Sequence, residues 1–321
     1  MKILITGGGG FLGFRLAKTL LARGALGGKT ISGITLLDGA FPPGVEGLQK
    51  VKAVTGDVSD EKTIAGACTP DTEAVFHLAA VVSGQAESDF DLGMRVNLKG
   101  MELLLAQMRK CAKPPRLVYT SSVAAFGGTL PDVLDDSTLA NPQTSYGAQK
   151  VIGEYLVSDY TRKGFIDGRA LRLPTIVVRA GKPNAAASSF ASGVIREPLN
   201  GVVSECPVAA ETGVWLLSPG KVVDAFIHAW ELPAEAWGTQ RWLNLPGITA
   251  TVAEMVDAMR KVAGDAVAKR VVYKADARIQ AIVKTWPVNF RTPRALAMGF
   301  KPDADVESVI RDYIADEKIK V

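Results

Sequence analysis

Ile3-Leu4-Ile5-Thr6-Gly7-Gly8-Gly9-Gly10-Phe11-Leu12-Gly13 is the stretch on which the fold turns. It reads as a short buried strand that enters a helix through glycines at positions 7, 10 and 13. Gly7 permits a tight turn, Gly10 lets the backbone approach a pyrophosphate, and Gly13 lets the helix pack closely on the sheet. The helix N-terminus, with Phe11 and Leu12 in its first turn, then offers N–H groups and positive dipole to phosphates. Taken alone, such a run is also read as a plain strand-to-helix turn, so its surroundings decide.

Working outward, β-rich apolar runs alternate with helical patterns as far as residue 175, the signature of repeated βαβ units on a parallel sheet. The strands fall at Lys2 to Thr6, Ile31 to Leu37, Lys50 to Thr55, Ala74 to His77, Arg116 to Tyr119 and Gly168 to Leu173. Leu98 to Arg109 carries Met101, Leu104, Leu105 and Met108 at helical spacing, a core stripe. Beyond residue 175 comes a Gly/Ala/Ser/Pro/Asn-rich passage, Ala180 to Ser192, and then mixed helices and strands. Thr251 and Glu254 form a capping box at the head of a helix reaching Ala263. The expected fold is α/β: a Rossmann-type doubly wound parallel sheet over residues 1–175 and a smaller mixed α/β domain over 176–321. That second domain is expected to be mainly substrate-binding, with some segments returning to the sheet.

Composition narrows the class. The chain has 321 residues, 47% apolar and 22% charged, ordinary for a globular protein with a large core. A net charge of only +4, with basic residues spread along the chain, gives no reason to expect nucleic acid. Cys68, Cys111 and Cys206 are odd in number and widely spaced, which favours a reducing compartment and supplies no metal pattern. Met1 and Lys2 lead straight into the first strand, and no stretch offers about 18 uncharged apolar residues in a row. A cytoplasmic protein with no membrane partner is expected.

Asp38 ends the second strand, where a carboxylate accepts hydrogen bonds from the adenosine ribose and repels a 2′-phosphate. Gly39, not Arg, follows it. The cofactor expected is therefore NAD in preference to NADP, the competing reading being an Asp that caps a turn. Asp57-Val58 after the third strand, Leu78-Ala79-Ala80 after the fourth, and Asn97 join the candidate cofactor residues. His77 lies inside an apolar strand and is read as a core histidine, and no metal is expected.

Tyr146-Gly147-Ala148-Gln149-Lys150 opens a helix that continues through Ile152, Tyr155 and Leu156. Residues four apart share a helix face, so Tyr146 and Lys150 can address one substrate. A free phenol, with a pKa of about 10, is a poor base, but positive charge from Lys150 and from oxidised nicotinamide favours the phenolate. Tyr146 then accepts a hydroxyl proton while hydride leaves the same carbon. Ser122, at the end of the Thr-Ser-Ser extension of the fifth strand, hydrogen-bonds the oxygen on which charge changes.

With Thr6 to Gly13, Asp57-Val58, His77 to Ala80, Ser121 to Gly127 and Tyr146 to Lys150 in this order, the chain resembles the extended short-chain dehydrogenases, the NAD-dependent epimerase/dehydratase superfamily. Ser218 to Ala225 is similar, more loosely, to that family's His-Val-x-Asp-Val block. The resemblance implies the Rossmann fold, NAD, catalysis by Tyr146, Lys150 and Ser122, and a homodimer. Many members hold a nucleotide sugar with an Arg in a Gly-Asp-Gly-x-Gln-x-Arg-Asp sequence; here the corresponding Pro207 to Leu217 has no arginine. Dehydratases place an acidic pair beside the catalytic hydroxyl, whereas Val123 and Ala124 follow Ser122.

Arg172 to Phe190, Arg196 to Leu199, Asp132 to Ser137, Pro142 to Tyr146 and Trp215 to Pro219 are similar to the subfamily that oxidises a four-carbon sugar acid, erythronate, at C2 with NAD. A small sugar-acid substrate needs a cation for its carboxylate. The candidate substrate residues are Ser83, Ser122, Tyr146, Thr175, Arg179, Lys182, Asn184, Ser189 and Arg196; of these Ser83, Arg179, Lys182, Asn184, Ser189 and Arg196 are each also read as a surface charge or loop hydrogen bond. A sugar-nucleotide epimerase that retains NAD and a non-catalytic dinucleotide sensor are the competing functions.

Overall fold

The structure is a computed structural model that describes residues 1–181 and 187–320. Seven strands build the main sheet: β1 (Lys2–Thr6), β2 (Gly33–Asp38), β3 (Val51–Thr55), β4 (Thr72–His77), β5 (Arg116–Ser122), β6 (Asp167–Leu173) and β7 (Trp242–Asn244). Their spatial order is β7-β6-β5-β4-β1-β2-β3. β1 runs parallel to both neighbours, with Ile3 opposite Ile34 on one side and Ala74 on the other. The chain moves outward from β1 to β3 and then crosses back to β4, which makes the end of β1 a topological switch point.

β1 is a continuous apolar run because both its faces are covered: Ile3, Leu4 and Ile5 are buried. β2 begins two residues later than the apolar pattern suggests. Ile31 is buried, but its N–H bonds the carbonyl of Gly24, so it closes the turn after the preceding helix. β5 continues through Ser122 because its polar side chains find partners, with Thr120 Oγ1 donating to the His77 carbonyl at 3.1 Å.

Four helices matter for the site: α1 (Phe11–Arg23), α2 (Glu61–Ala67), α3 (Gly100–Met108) and α4 (Ser145–Arg162). The stripe Met101, Leu104, Leu105 and Met108 is buried on α3, as its spacing requires, although residues 94–99 before it form a wider π-helical turn. Thr144 caps α4 by accepting from the Gly147 N–H at 3.1 Å.

The chain divides into two compact units, the first comprising Met1–Ala125, Thr144–Arg172 and Val223–Leu243, the second Phe126–Gln143, Leu173–Val222 and Asn244–Val321. In the first, Leu4, Leu37, Val75, Leu104, Leu117 and Ala170 pack together. The second has its own core, including Val194, Ile195, Leu216, Met255, Met259 and Ile310, around a three-stranded sheet in which Gly213–Leu217 is central. Its helix Val252–Ala263 starts with the full capping box: Thr251 accepts from the Glu254 N–H, and Glu254 accepts from the Thr251 N–H. Among the described residues no helix is long and apolar enough to cross a membrane, and no three His, Cys, Asp or Glu side chains converge as metal ligands.

Candidate active site

The glycine turn after β1 is shaped by contacts that forbid a side chain. Gly7 has a φ of 71°, and a Cβ there would lie 2.7 Å from the Ala79 nitrogen. A Cβ on Gly13 would collide with the Gly7 carbonyl oxygen. Gly10 differs: only that carbonyl, at 3.2 Å, would meet its Cβ, and no side chain caps the start of α1. An uncapped helix start beside an open glycine is a cradle for a diphosphate. Phe11 and Leu12, in its first turn, are partly exposed.

Asp38 faces this turn, its Oδ2 accepting the Gly9 N–H at 3.0 Å. That bond fixes the carboxylate where ribose hydroxyls would donate to it. Leu78, Ala79 and Ala80 are partly exposed at the end of β4, and Thr6 Oγ1 accepts the Ala79 N–H at 3.3 Å. His77 Nδ1 lies 2.6 Å from the same hydroxyl; burial, helped by the charge of Lys150, pushes this histidine down to about 3. It is a neutral structural residue.

Asp57 receives two hydrogen bonds from Ser59 and an ion pair from Arg95 at 2.5 Å. Partial burial pushes its carboxyl up, but Ser59 and Arg95 outweigh that and hold it below the usual range. Val58 beside it is buried under Gly100. Asn97 is buried with its amide fully engaged: Oδ1 accepts from Val81 N, and Nδ2 donates to the Val81 carbonyl and to Gln149 Oε1. It ties the segment after β4 to α4.

Tyr146 and Lys150 stand one turn apart on α4, facing the end of β5. Lys150 Nζ donates to the Thr120 carbonyl at 2.7 Å and lies 5.4 Å from the centre of the Tyr146 ring. Burial pushes the Lys150 ammonium down to about 7, with Glu154 pulling the other way. Burial pushes the Tyr146 phenol up to about 12, and a hydrogen bond with Ser122 pulls it down. Ser122 Oγ also accepts the Ala124 N–H at 3.1 Å, which fixes its lone pairs and leaves its proton to donate.

The candidate substrate residues are less concentrated. Ser83, in the first unit, opens the short helix Ser83–Ser88. In the second unit Thr175 pairs with Leu216 in the small sheet, and Ser189 begins the helix Ser189–Leu199. Arg196 is buried and committed, donating to the Arg179 carbonyl at 2.8 Å and to Glu197 at 2.6 Å. Burial and then the nearby Arg196 charge lower the affinity of Arg179 for its proton. Lys182 and Asn184 lie outside the described residues.

Sequence reasoning missed Glu154, one turn beyond Lys150. Its carboxylate is buried, accepts Arg172 through both oxygens at 2.8 and 2.6 Å, and takes the Ser121 hydroxyl at 2.5 Å. The available signal was its four-residue spacing from Lys150, which puts it on the same face of α4.

Residues 3–232 match the model of the NAD dependent epimerase/dehydratase family. The chain is 56% identical over 320 residues to D-erythronate dehydrogenase of Cupriavidus necator, covering 98% of each protein. It is 43% identical over 314 residues to D-erythronate dehydrogenase of Haemophilus influenzae, covering 98% of this chain and 99% of that protein. Among solved structures it is similar to a nucleoside-diphosphate-sugar epimerase from Agrobacterium tumefaciens, with a TM-score of 0.93 at 40% identity, over 99% of this chain and 94% of that one.

Proposed function

The chain belongs to the NAD dependent epimerase/dehydratase family, and from that premise we propose that it oxidises D-erythronate at C2 to the 2-keto acid with NAD. It is an oxidoreductase acting on a CH–OH group. The observation that carries a hydride-transfer reading is the arrangement of Tyr146, with the Ser122 hydroxyl on one side and the Lys150 ammonium 5.4 Å from its ring. The two D-erythronate dehydrogenases, similar to it over nearly the whole chain, supply the substrate class.

NAD, when bound, supplies the hydride acceptor and a positively charged ring. The glycine turn at Gly7, Gly10 and Gly13, with Phe11 and Leu12, would hold its diphosphate, Asp38 its ribose, and Leu78, Ala79 and Ala80 would line the cofactor site at the end of β4. Asp57 and Val58 would flank that side after β3, and Asn97, its amide engaged by Val81 and Gln149, would support it by holding the segment after β4. Tyr146 accepts the C2 hydroxyl proton, and its electron pair becomes available only as the phenolate. Its buried phenol resists ionisation, so catalysis depends on nearby positive charge. Lys150 provides one such charge, aimed by the Thr120 carbonyl. Ser122 donates to the substrate oxygen as it becomes a carbonyl.

The second unit is the substrate-binding one in this reading, with Thr175, Arg179 and Ser189, and with Lys182 and Asn184 from the passage between them; Arg196, already bonded to the Arg179 carbonyl and Glu197, would act by holding Arg179. The enzyme acts in the cytoplasm as a homodimer. Ile152 and Tyr155, 41% and 60% exposed on α4, support a pairing face there. Ile152→Glu should then convert the dimer to monomer in light scattering.

The deciding experiment is NADH formation with NAD and a panel of C4 to C6 aldonic acids, beside NADP controls. Rapid signal with D-erythronate and NAD is expected. Silence with every acid, in protein that retains its NAD, would favour the epimerase reading that the Agrobacterium structure suggests.

A further inference from the structure

Tyr146, Lys150 and Glu154 are spaced four residues apart and share one face of α4. Each bonds a different one of three successive residues at the end of β5. Tyr146 meets the Ser122 hydroxyl, Lys150 the Thr120 carbonyl, and Glu154 the Ser121 hydroxyl between them. The first two rungs take part in the mechanism above; the third does not. It is nonetheless the most enclosed, with Glu154 1% and Arg172 4% exposed. Arg172 reaches it from β6, so the carboxylate joins α4, β5 and β6 at one point. Buried pairs of this kind add little net stability, and their best attested use is to specify register.

We infer that Glu154 is a positioning residue for the reaction: gripped by Arg172 and Ser121, it fixes the register of α4 on β5 and supplies the negative charge that keeps Lys150 protonated beside Tyr146. The inference rests on the catalytic reading of Tyr146 and Lys150. The titratable groups around Lys150 are Tyr146 and Glu154 on α4, Tyr119 on β5 and His77 on β4, with Arg172 on β6 behind Glu154. Burial keeps Tyr119 protonated and His77 neutral, so Glu154 is the anion in that group. It is also the group that raises the proton affinity of Lys150 against burial.

Glu154→Gln preserves size and an acceptor for Ser121 but removes the charge. Lys150 then loses its proton at lower pH, the Tyr146 phenolate is less stabilised, and the base ionises later. The ascending limb of kcat against pH should move up by about one unit, with kcat at neutral pH down about tenfold. KM for NAD and for D-erythronate should stay within about twofold. The ionisation of Tyr146, read without turnover as the phenolate absorbance of wild type minus that of Tyr146→Phe, should move the same way when the comparison is repeated in the Glu154→Gln background. Glu154→Gln/Arg172→Met strands no buried charge and keeps the test open if the single variant does not fold; its limb should move in the same direction by less. An unmoved limb and phenolate titration in either folded variant, or kcat within twofold of wild type, would overturn the inference. The phenolate titration decides the role of Glu154 even if D-erythronate proves not to be the substrate.

Discussion

Two carboxylates of the first unit are paired with arginine at opposite ends of β6, and they do different work. Asp167, at its start, takes Arg116 at 2.8 Å, Arg169 at 2.7 Å and Arg241 at 2.6 Å. Other donors of these guanidiniums go to the backbone carbonyls of Trp230, Ala229, Gly168 and Gly238, while Arg169 Nε is buried without a partner among the described residues. Burial pushes the Arg169 guanidinium down to about 9, with Asp167 opposing. Nothing in this cluster touches a group that reacts. Glu154, near the other end, has one arginine and lies one helical turn from Lys150. A buried charge is therefore no sign of a site in itself; what distinguishes the two carboxylates is whether a titrating partner of one is also a partner of the chemistry.

The largest expected effect separates chemistry from folding at the Glu154 end. Tyr146→Phe should lower kcat about a thousandfold while NAD binding, followed by fluorescence titration, stays within about threefold. Substantial remaining turnover would remove Tyr146 as the base. At the other end the reverse should hold. Asp167→Asn leaves three guanidiniums short of a counter-charge and should cost about 3 kcal/mol in urea unfolding, with kcat of the folded enzyme unchanged. A fall in kcat without loss of stability would break the comparison.

A pH series sharpens it. The Lys150 ammonium sits near 7 when folded and near 10.4 when unfolded, so between these values the unfolded chain binds more protons. Its contribution to stability is complete above the unfolded value and is lost as pH falls through about 7. Lys150→Met should flatten the stability profile across that window by up to about 5 kcal/mol, measured by denaturant unfolding at a series of pH values. The smallest effect is a baseline away from both carboxylates. Thr251→Ala removes a capping box in the second unit and should cost about 1 kcal/mol, with kcat unaltered at a temperature where both proteins are folded.

The sheet was legible from the short apolar runs inside its strands, and β1, apolar from Ile3 to Ile5, matches its pattern residue for residue. The glycine turn was legible because backbone shape demands particular residues there, and Tyr146 and Lys150 because a helix face has a fixed spacing. Glu154 escaped because a charge on a helix reads as solvated unless its partner is known, and Arg172 is reached only when β6 lies against α4. The Asp167 cluster escaped for the same reason: positions 116, 169 and 241 meet only in three dimensions. Arg196 shows the converse limit. Its residue type suits a carboxylate ligand, yet its guanidinium is already bonded to the Arg179 carbonyl and Glu197.

The place of β7 has a consequence for how the chain is made. β6 takes its outer neighbour from Trp242–Asn244, and Ala170 donates to the Arg241 carbonyl at 2.7 Å. A nascent polypeptide that has emerged only as far as β6 therefore carries a naked sheet edge and an Asp167 still waiting for Arg241. Until the ribosome has delivered that late strand, the first unit is a template for pairing with other chains. Fragments ending before it should need a holding chaperone or a solubilising fusion, whereas those ending just after it should not.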